Sequence, residues 1–122
     1  MCHQKRGKLD KILIHNYKDG AEVEVIGNLN IHNIDTLLND FKDMLEKNPG
    51  TKIVGINCES LDSIDSSGFG MLISLSRQAE KSGITFYICE LNKHVSALFD
   101  ISHLDKFFHI VSIQDFRQIV QR

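Results

Sequence analysis

Apolar residues recur along this chain with two different periods, and the switching between them divides it into strands and helices. Lys11-Ile12-Leu13-Ile14-His15 is a short apolar run and predicts a strand. Tyr17-Lys18-Asp19-Gly20 supplies turn residues. From Ala21 to Ile26, Val23 and Val25 alternate with Glu22 and Glu24, the two-residue period of a strand with one wet face. The two runs predict an antiparallel hairpin, and Gly27-Asn28-Leu29-Asn30 reads as the connection that follows. Ile34, Leu37, Leu38, Phe41, Met44 and Leu45 keep helical spacing, with Asp35, Asn39, Asp40, Lys42, Asp43 and Glu46 on the opposite face. Asn48-Pro49-Gly50 ends that helix.

The second half repeats the scheme. Lys52–Asn57 predicts a strand buried on both faces. Glu59–Ser67 is polar apart from Leu61 and Ile64, and leads into an apolar helix from Gly68 to Lys81 that stops at Gly83. Ile84–Cys89 predicts the next strand, Val95, Leu98 and Phe99 mark a short helix, Phe107–Val111 a weak strand, and Ile113, Phe116, Ile119 and Val120 a closing helix. The order ββαβαβαβα predicts an α/β fold: a mixed, mostly parallel sheet that opens with an antiparallel hairpin, with packed crossover helices. With 122 residues, one proline and no linker or repeat, a single domain over 9–122 is expected, behind a basic tail at 1–8.

Composition narrows the function classes. At 42% hydrophobic and 25% charged residues the chain can build a core, which excludes a disordered or collagen-like polymer. A formal net charge of -2 gives it no attraction to nucleic acid or an anionic membrane. Cys2, Cys58 and Cys89 form neither a disulfide framework nor a Cys-x-x-Cys pair, which suits a reducing compartment. The basic start lacks an apolar stretch behind it, and no run is long enough to insert into a membrane, so a cytoplasmic location is expected.

Most catalytic chemistries lack their residues. None of the six histidines stands at zinc-ligand spacing from another His or Cys, so no metal site is expected. Ser66 lies between Asp65 and Ser67 rather than in a Gly-x-Ser-x-Gly elbow. Gly68-Phe69-Gly70 opens a helix, but no Walker lysine or third glycine accompanies it, and the glycines read as room for close packing at the helix start. No cofactor is expected. The informative stretch is Leu61 to Gly70. It falls at the carboxyl end of a strand in a parallel sheet, where such folds meet ligands and partners. Asp65 or Ser66 is placed to cap the helix.

Three segments, in order, carry a resemblance: Gly27-Asn28-Leu29-Asn30, Ser63-Ile64-Asp65-Ser66-Ser67-Gly68-Phe69-Gly70, and Leu98-Phe99-Asp100-Ile101-Ser102-His103-Leu104. From about Leu9 to Gln121 the chain resembles the anti-sigma factor antagonists, the stand-alone STAS domains (sulphate transporter and anti-sigma antagonist). That resemblance implies a binding protein, not an enzyme. Such a protein engages an anti-sigma factor that is also a serine kinase, so that a sigma factor is released. Phosphorylation of the serine after the Asp of the Asp-Ser-Ser/Thr-Gly motif switches it off, and a PP2C-type phosphatase restores it. Carried over, the phosphoacceptor is Ser66, and the docking surface comprises Asn28, Asn30, Ser63, Asp65, Ser66, Ser67, Gly68 and Gly70.

The chain departs from the family pattern in two places. Asn28 and Asn30 stand where the family carries carboxylates, which weakens charge steering toward a basic partner. His103 stands where glycine is common, and pays a modest backbone cost if that position needs a positive φ. Phe69 reads as a core anchor, because Leu72 and Ile73 continue its apolar pattern. Two other functions fit the same fold. One is a non-switching scaffold or accessory subunit, as in a stressosome-like or lipid-transport assembly, with Ser66 only a helix cap. The other is nucleotide binding at the helix-start glycines.

Overall fold

The computed structural model describes residues 11–121; the basic segment 1–8 and the start of the domain at Leu9 lie outside them. In chain order the described elements are β1 (Lys11–Asn16), β2 (Gly20–Leu29), α1 (Ile34–Lys47), β3 (Ile53–Asn57), β4 (Leu61–Ile64), α2 (Ser66–Lys81), β5 (Thr85–Cys89), α3 (Lys93–Ile101), a 3-10 turn (Leu104–Lys106), β6 (His109–Val111) and α4 (Ile113–Val120). The sheet runs β1-β2-β3-β5-β6, with β4 added beside the far end of β2. β1 and β2 form the expected hairpin, in register from Lys11 opposite Ile26 to Asn16 opposite Ala21, and every other pairing is parallel. This is the predicted fold class.

Three boundaries differ from the sequence reading. β2 does not stop at Ile26: Gly27, Asn28 and Leu29 continue it, and what reads as a connection is strand. These residues pair with Leu61, Ser63 and Ile64 of β4, a strand hidden in the polar stretch, with a register shift between Gly27 and Asn28. α2 begins at Ser66 rather than Gly68.

Helices cover both faces of the sheet. On one, Ala21, Val23 and Val25 of β2 join Val54, Ile56, Phe86 and Ile88, and are sealed by Leu37, Phe41 and Met44 of α1, Leu72 and Leu75 of α2, and Val95 and Phe99 of α3. On the other, α4 lays Ile113, Phe116 and Val120 over Cys89, Tyr87 and Ile53. Phe116 is fully buried, which favours folding by about 1.5–3 kcal/mol. The seating depends on Gly55, where an added Cβ would fall 2.6 Å from a Phe116 ring carbon.

This second layer corrects another expectation. The Glu22/Glu24 face of β2 is not simply wet, because Glu22 is fully buried beneath α4. At the helix ends the signals hold: Asn48 donates its side-chain N–H to Met44 O at the close of α1, and Gly83 takes φ 75° after α2. No helix among the described residues is long and apolar enough to cross a membrane.

Candidate functional site

The two segments singled out near Asn28 and Ser66 meet at the carboxyl end of the parallel strands. β4 brings them together: Asn28 lies opposite Ser63, and Leu29 opposite Ile64. Asp65 N–H then donates to Leu29 O at 3.2 Å. Gly68 completes the seam, since a Cβ there would sit 2.6 Å from both Leu29 O and Ile64 Cγ1. Gly68 is therefore required by close packing, as its place at the helix start implies. Gly70 is not. It is exposed, and a Cβ there would meet nothing within 4 Å.

The capping question is settled in favour of Asp65. Its backbone is extended and its carboxylate accepts from Gly68 N–H at 3.0 Å, filling one of the donors that a helix start leaves free. Ser66 is the first helical residue, exposed, and its hydroxyl makes no hydrogen bond among the described residues. Ser67 and Ser63 are half-buried. Below them, Phe69 packs against the main core with its ring edge-on to Phe99 at 5.0 Å, so it is a core anchor that ties α2 to α3. Asn92 caps α3 through Val95 N–H and donates to Leu61 O, bracing β4 from the other side. Through Phe99, which meets Phe69, the third sequence landmark supports the second.

The side chains of Asn30 and Asn33 build the neighbouring turn, which is anchored on the Asn28 carbonyl. Asn30 Oδ1 accepts from His32 N–H at 2.9 Å, Asn33 Oδ1 accepts from Asn30 N–H at 2.9 Å, and Asn33 donates to Asn28 O. Both Asn28 and Asn30 are half-buried. His103 adopts the left-handed conformation, φ 60° and ψ 20°, so the position does require the backbone that glycine provides freely.

A second polar cluster lies under α4, and sequence reasoning missed it. Glu22 accepts from Tyr17 Oη (3.0 Å), Asn57 Nδ2 (2.8 Å), Arg117 Nε (3.0 Å) and Arg117 Nη2 (3.1 Å). Burial alone would raise its pKa, but the hydrogen bonds from Arg117, Asn57 and Tyr17 hold it below the usual carboxylate range. Arg117 is held further toward its charged form, first by its hydrogen bonds to Glu22. Burial, reinforced by Glu22, pushes the Tyr17 phenol up. Among the described residues, only His15, Glu22 and Glu24 converge closely enough to hold a metal ion. Glu22, however, already accepts four hydrogen bonds, two of them from a cation. A metal would have to displace these donors, so the group is a structural network.

The sequence model of the STAS domain matches residues 12–115, and the chain belongs to that family. An anti-sigma-B factor antagonist of Staphylococcus epidermidis is 26% identical over 94 residues, spanning 77% of this chain and 85% of that protein. Among solved structures, an anti-sigma factor antagonist from Mycobacterium paratuberculosis superposes with a TM-score of 0.77 at 15% identity, covering 90% of this chain and 92% of its own. The phosphorylated form of the Bacillus cell fate determinant SpoIIAA gives 0.69 at 15% identity, covering 91% and 100%. At such identities the structural likeness speaks for the fold alone.

Proposed function

We propose that this domain is an anti-sigma factor antagonist. It binds an anti-sigma factor with serine-kinase activity, thereby freeing a sigma factor, and is switched off when Ser66 is phosphorylated and restored by a PP2C-type phosphatase. It acts by binding, without catalysis. The observation that carries this reading is the division of labour at the start of α2. Asp65 performs the capping that would otherwise occupy a serine, and leaves the Ser66 hydroxyl exposed and uncommitted.

The physical consequences of phosphate there favour a binding switch. A phosphoserine adds about -1.5 to -2 charge and three acceptor oxygens. At the first residue of a helix that charge faces free N–H groups and the positive end of the macrodipole, a stabilisation of about 0.3–1 kcal/mol, so the domain stays folded. Within a docked interface the same anion, desolvated without a counter-charge, costs several kcal/mol. Each 1.4 kcal/mol is about tenfold in affinity.

Gly70 supports the same surface. A glycine inside a helix is about 1 kcal/mol worse than alanine, and nothing among the described residues uses the bare backbone at this position. Ser66 and Gly70 lie four residues apart, on one face of α2. A partner that approaches closely at this face uses the missing side chain.

The test is incubation with ATP and the cognate anti-sigma kinase, followed by mass spectrometry and a binding titration. Phosphate is expected on Ser66 and nowhere in Ser66→Ala, and Ser66→Asp is expected to weaken binding at least tenfold. A modified Ser66→Ala protein, or an aspartate variant that binds as tightly as wild type, overturns the reading.

A further inference from the structure

We infer that Glu22, Arg117 and Asn57 are positioning residues for the Ser66 surface, acting from the opposite face of the sheet. The inference rests on reading that surface as the docking site.

Asn57 is the link. It is the last residue of β3, 1% exposed, and its amide is engaged at both ends. Nδ2 donates to Glu22 Oε2 at 2.8 Å, and Oδ1 accepts from Glu59 N–H at 2.9 Å. A carboxylate only accepts, so ionised Glu22 permits one orientation of that amide, with the oxygen toward Glu59. The turn so held is short and feeds directly into β4. Leu61 N–H donates to Cys58 O, and Gly27 N–H donates to Ser60 O, which locks the turn to the far part of β2. β4 then ends at Ile64, one residue before the Asp65 cap.

The other end of the relay is α4. Arg117 grips both oxygens of Glu22, and this two-pronged contact fixes the carboxylate plane against which Asn57 is oriented. The seating of the last helix is thereby transmitted to the turn that aims the Ser66 loop. Glu22, at the centre of the path, is fully buried and accepts four hydrogen bonds, so the carboxylate that orients Asn57 is fixed from several sides.

Amide hydrogen exchange in the full chain tests this. Replacing the ion pair by Glu22→Met with Arg117→Leu fills the space with apolar groups, a change that often leaves stability intact. Asn57→Ala breaks the relay while keeping the pair. Both variants are expected to speed exchange at Glu59 and Leu61 by about tenfold, while Cys58 N–H, which donates to Cys89 O, keeps its protection. The rate of Ser66 phosphorylation is expected to fall severalfold in both. If the apolar pair does not fold, Arg117→Lys, which keeps the charge but not the fork, serves for comparison.

Wild-type exchange at Glu59 and Leu61 in the variants lacking the Glu22–Arg117 contact overturns the inference. So does a uniform loss of protection that includes Cys58. If the kinase never modifies wild-type Ser66, the proposed function fails, while the exchange result still decides the relay.

Discussion

Two polar clusters in this small domain use their atoms in opposite ways. Under α4, every acceptor position of Glu22 is filled and the group is fully buried. At the start of α2, Asp65 accepts one hydrogen bond, while the exposed Ser66 hydroxyl engages no other described residue. The first cluster satisfies the rule that a buried charge must be paired; its chemistry is consumed by holding the fold. The second leaves capacity unused at the end of the sheet where ligands and partners approach. The glycines repeat the contrast within one turn of helix: Gly68 is bare because Leu29 and Ile64 press against it, whereas Gly70 faces open space. Residues used up internally report on stability, and residues left idle at a conspicuous site point outward.

That contrast can be broken by mutation. Arg117→Ala strands a buried carboxylate, a change of about 3–5 kcal/mol for a fully enclosed pair. Because Arg117 is itself 45% exposed, a loss near 3 kcal/mol is expected in urea unfolding. A loss below about 1 kcal/mol would mean the cluster contributes little more than a surface pair.

The same carboxylate sets a pH signature. Its pKa is depressed in the folded state, so its contribution is fully present above the unfolded value and is lost as pH falls through the acidic range. Unfolding free energies measured from neutral pH downward should fall less steeply in Glu22→Gln than in wild type.

The glycine pair sharpens the comparison further, because the two alanine variants should move in opposite directions. Gly68→Ala drives a Cβ into backbone and is expected to destabilise by about 1–3 kcal/mol. Gly70→Ala should raise stability by about 1 kcal/mol while lowering partner affinity. Thermal unfolding and a binding titration on the same samples separate the two effects. The smallest effect is expected at His103. His103→Gly relieves a left-handed side-chain residue at some entropic cost in the unfolded chain, for a net gain of about 0.5 kcal/mol.

The hairpin, both long helices and the final helix are legible because each is a local periodic signal. β4 is not. Leu61 and Ile64 flank two polar residues at a spacing that mimics a helical turn, and the partners that make the segment a strand, Gly27, Asn28 and Leu29, are distant in sequence. Its pairing also erases the apparent connection after Ile26. Alternation correctly separates the two faces of β2, but it cannot show that an amphipathic helix nearly a hundred residues later will cover Glu22. The signal available was α4 itself. Its apolar stripe needed a surface to bury, and a sheet with α1 and α2 on one face left only the other. At the site, the Asp-Ser-Ser-Gly order marked the loop, whereas the assignment of the cap to Asp65 needed its contact with Gly68 in the folded chain.

Cys58 belongs to the main core and Cys89 to the layer beneath α4, and burial keeps both thiols protonated, Cys58 with its pKa pushed up to about 12. Only the thiolate reacts readily. An alkylating reagent, with the labelled peptides resolved one by one, would therefore act as a pair of stopwatches, timing how often each side of the sheet comes apart.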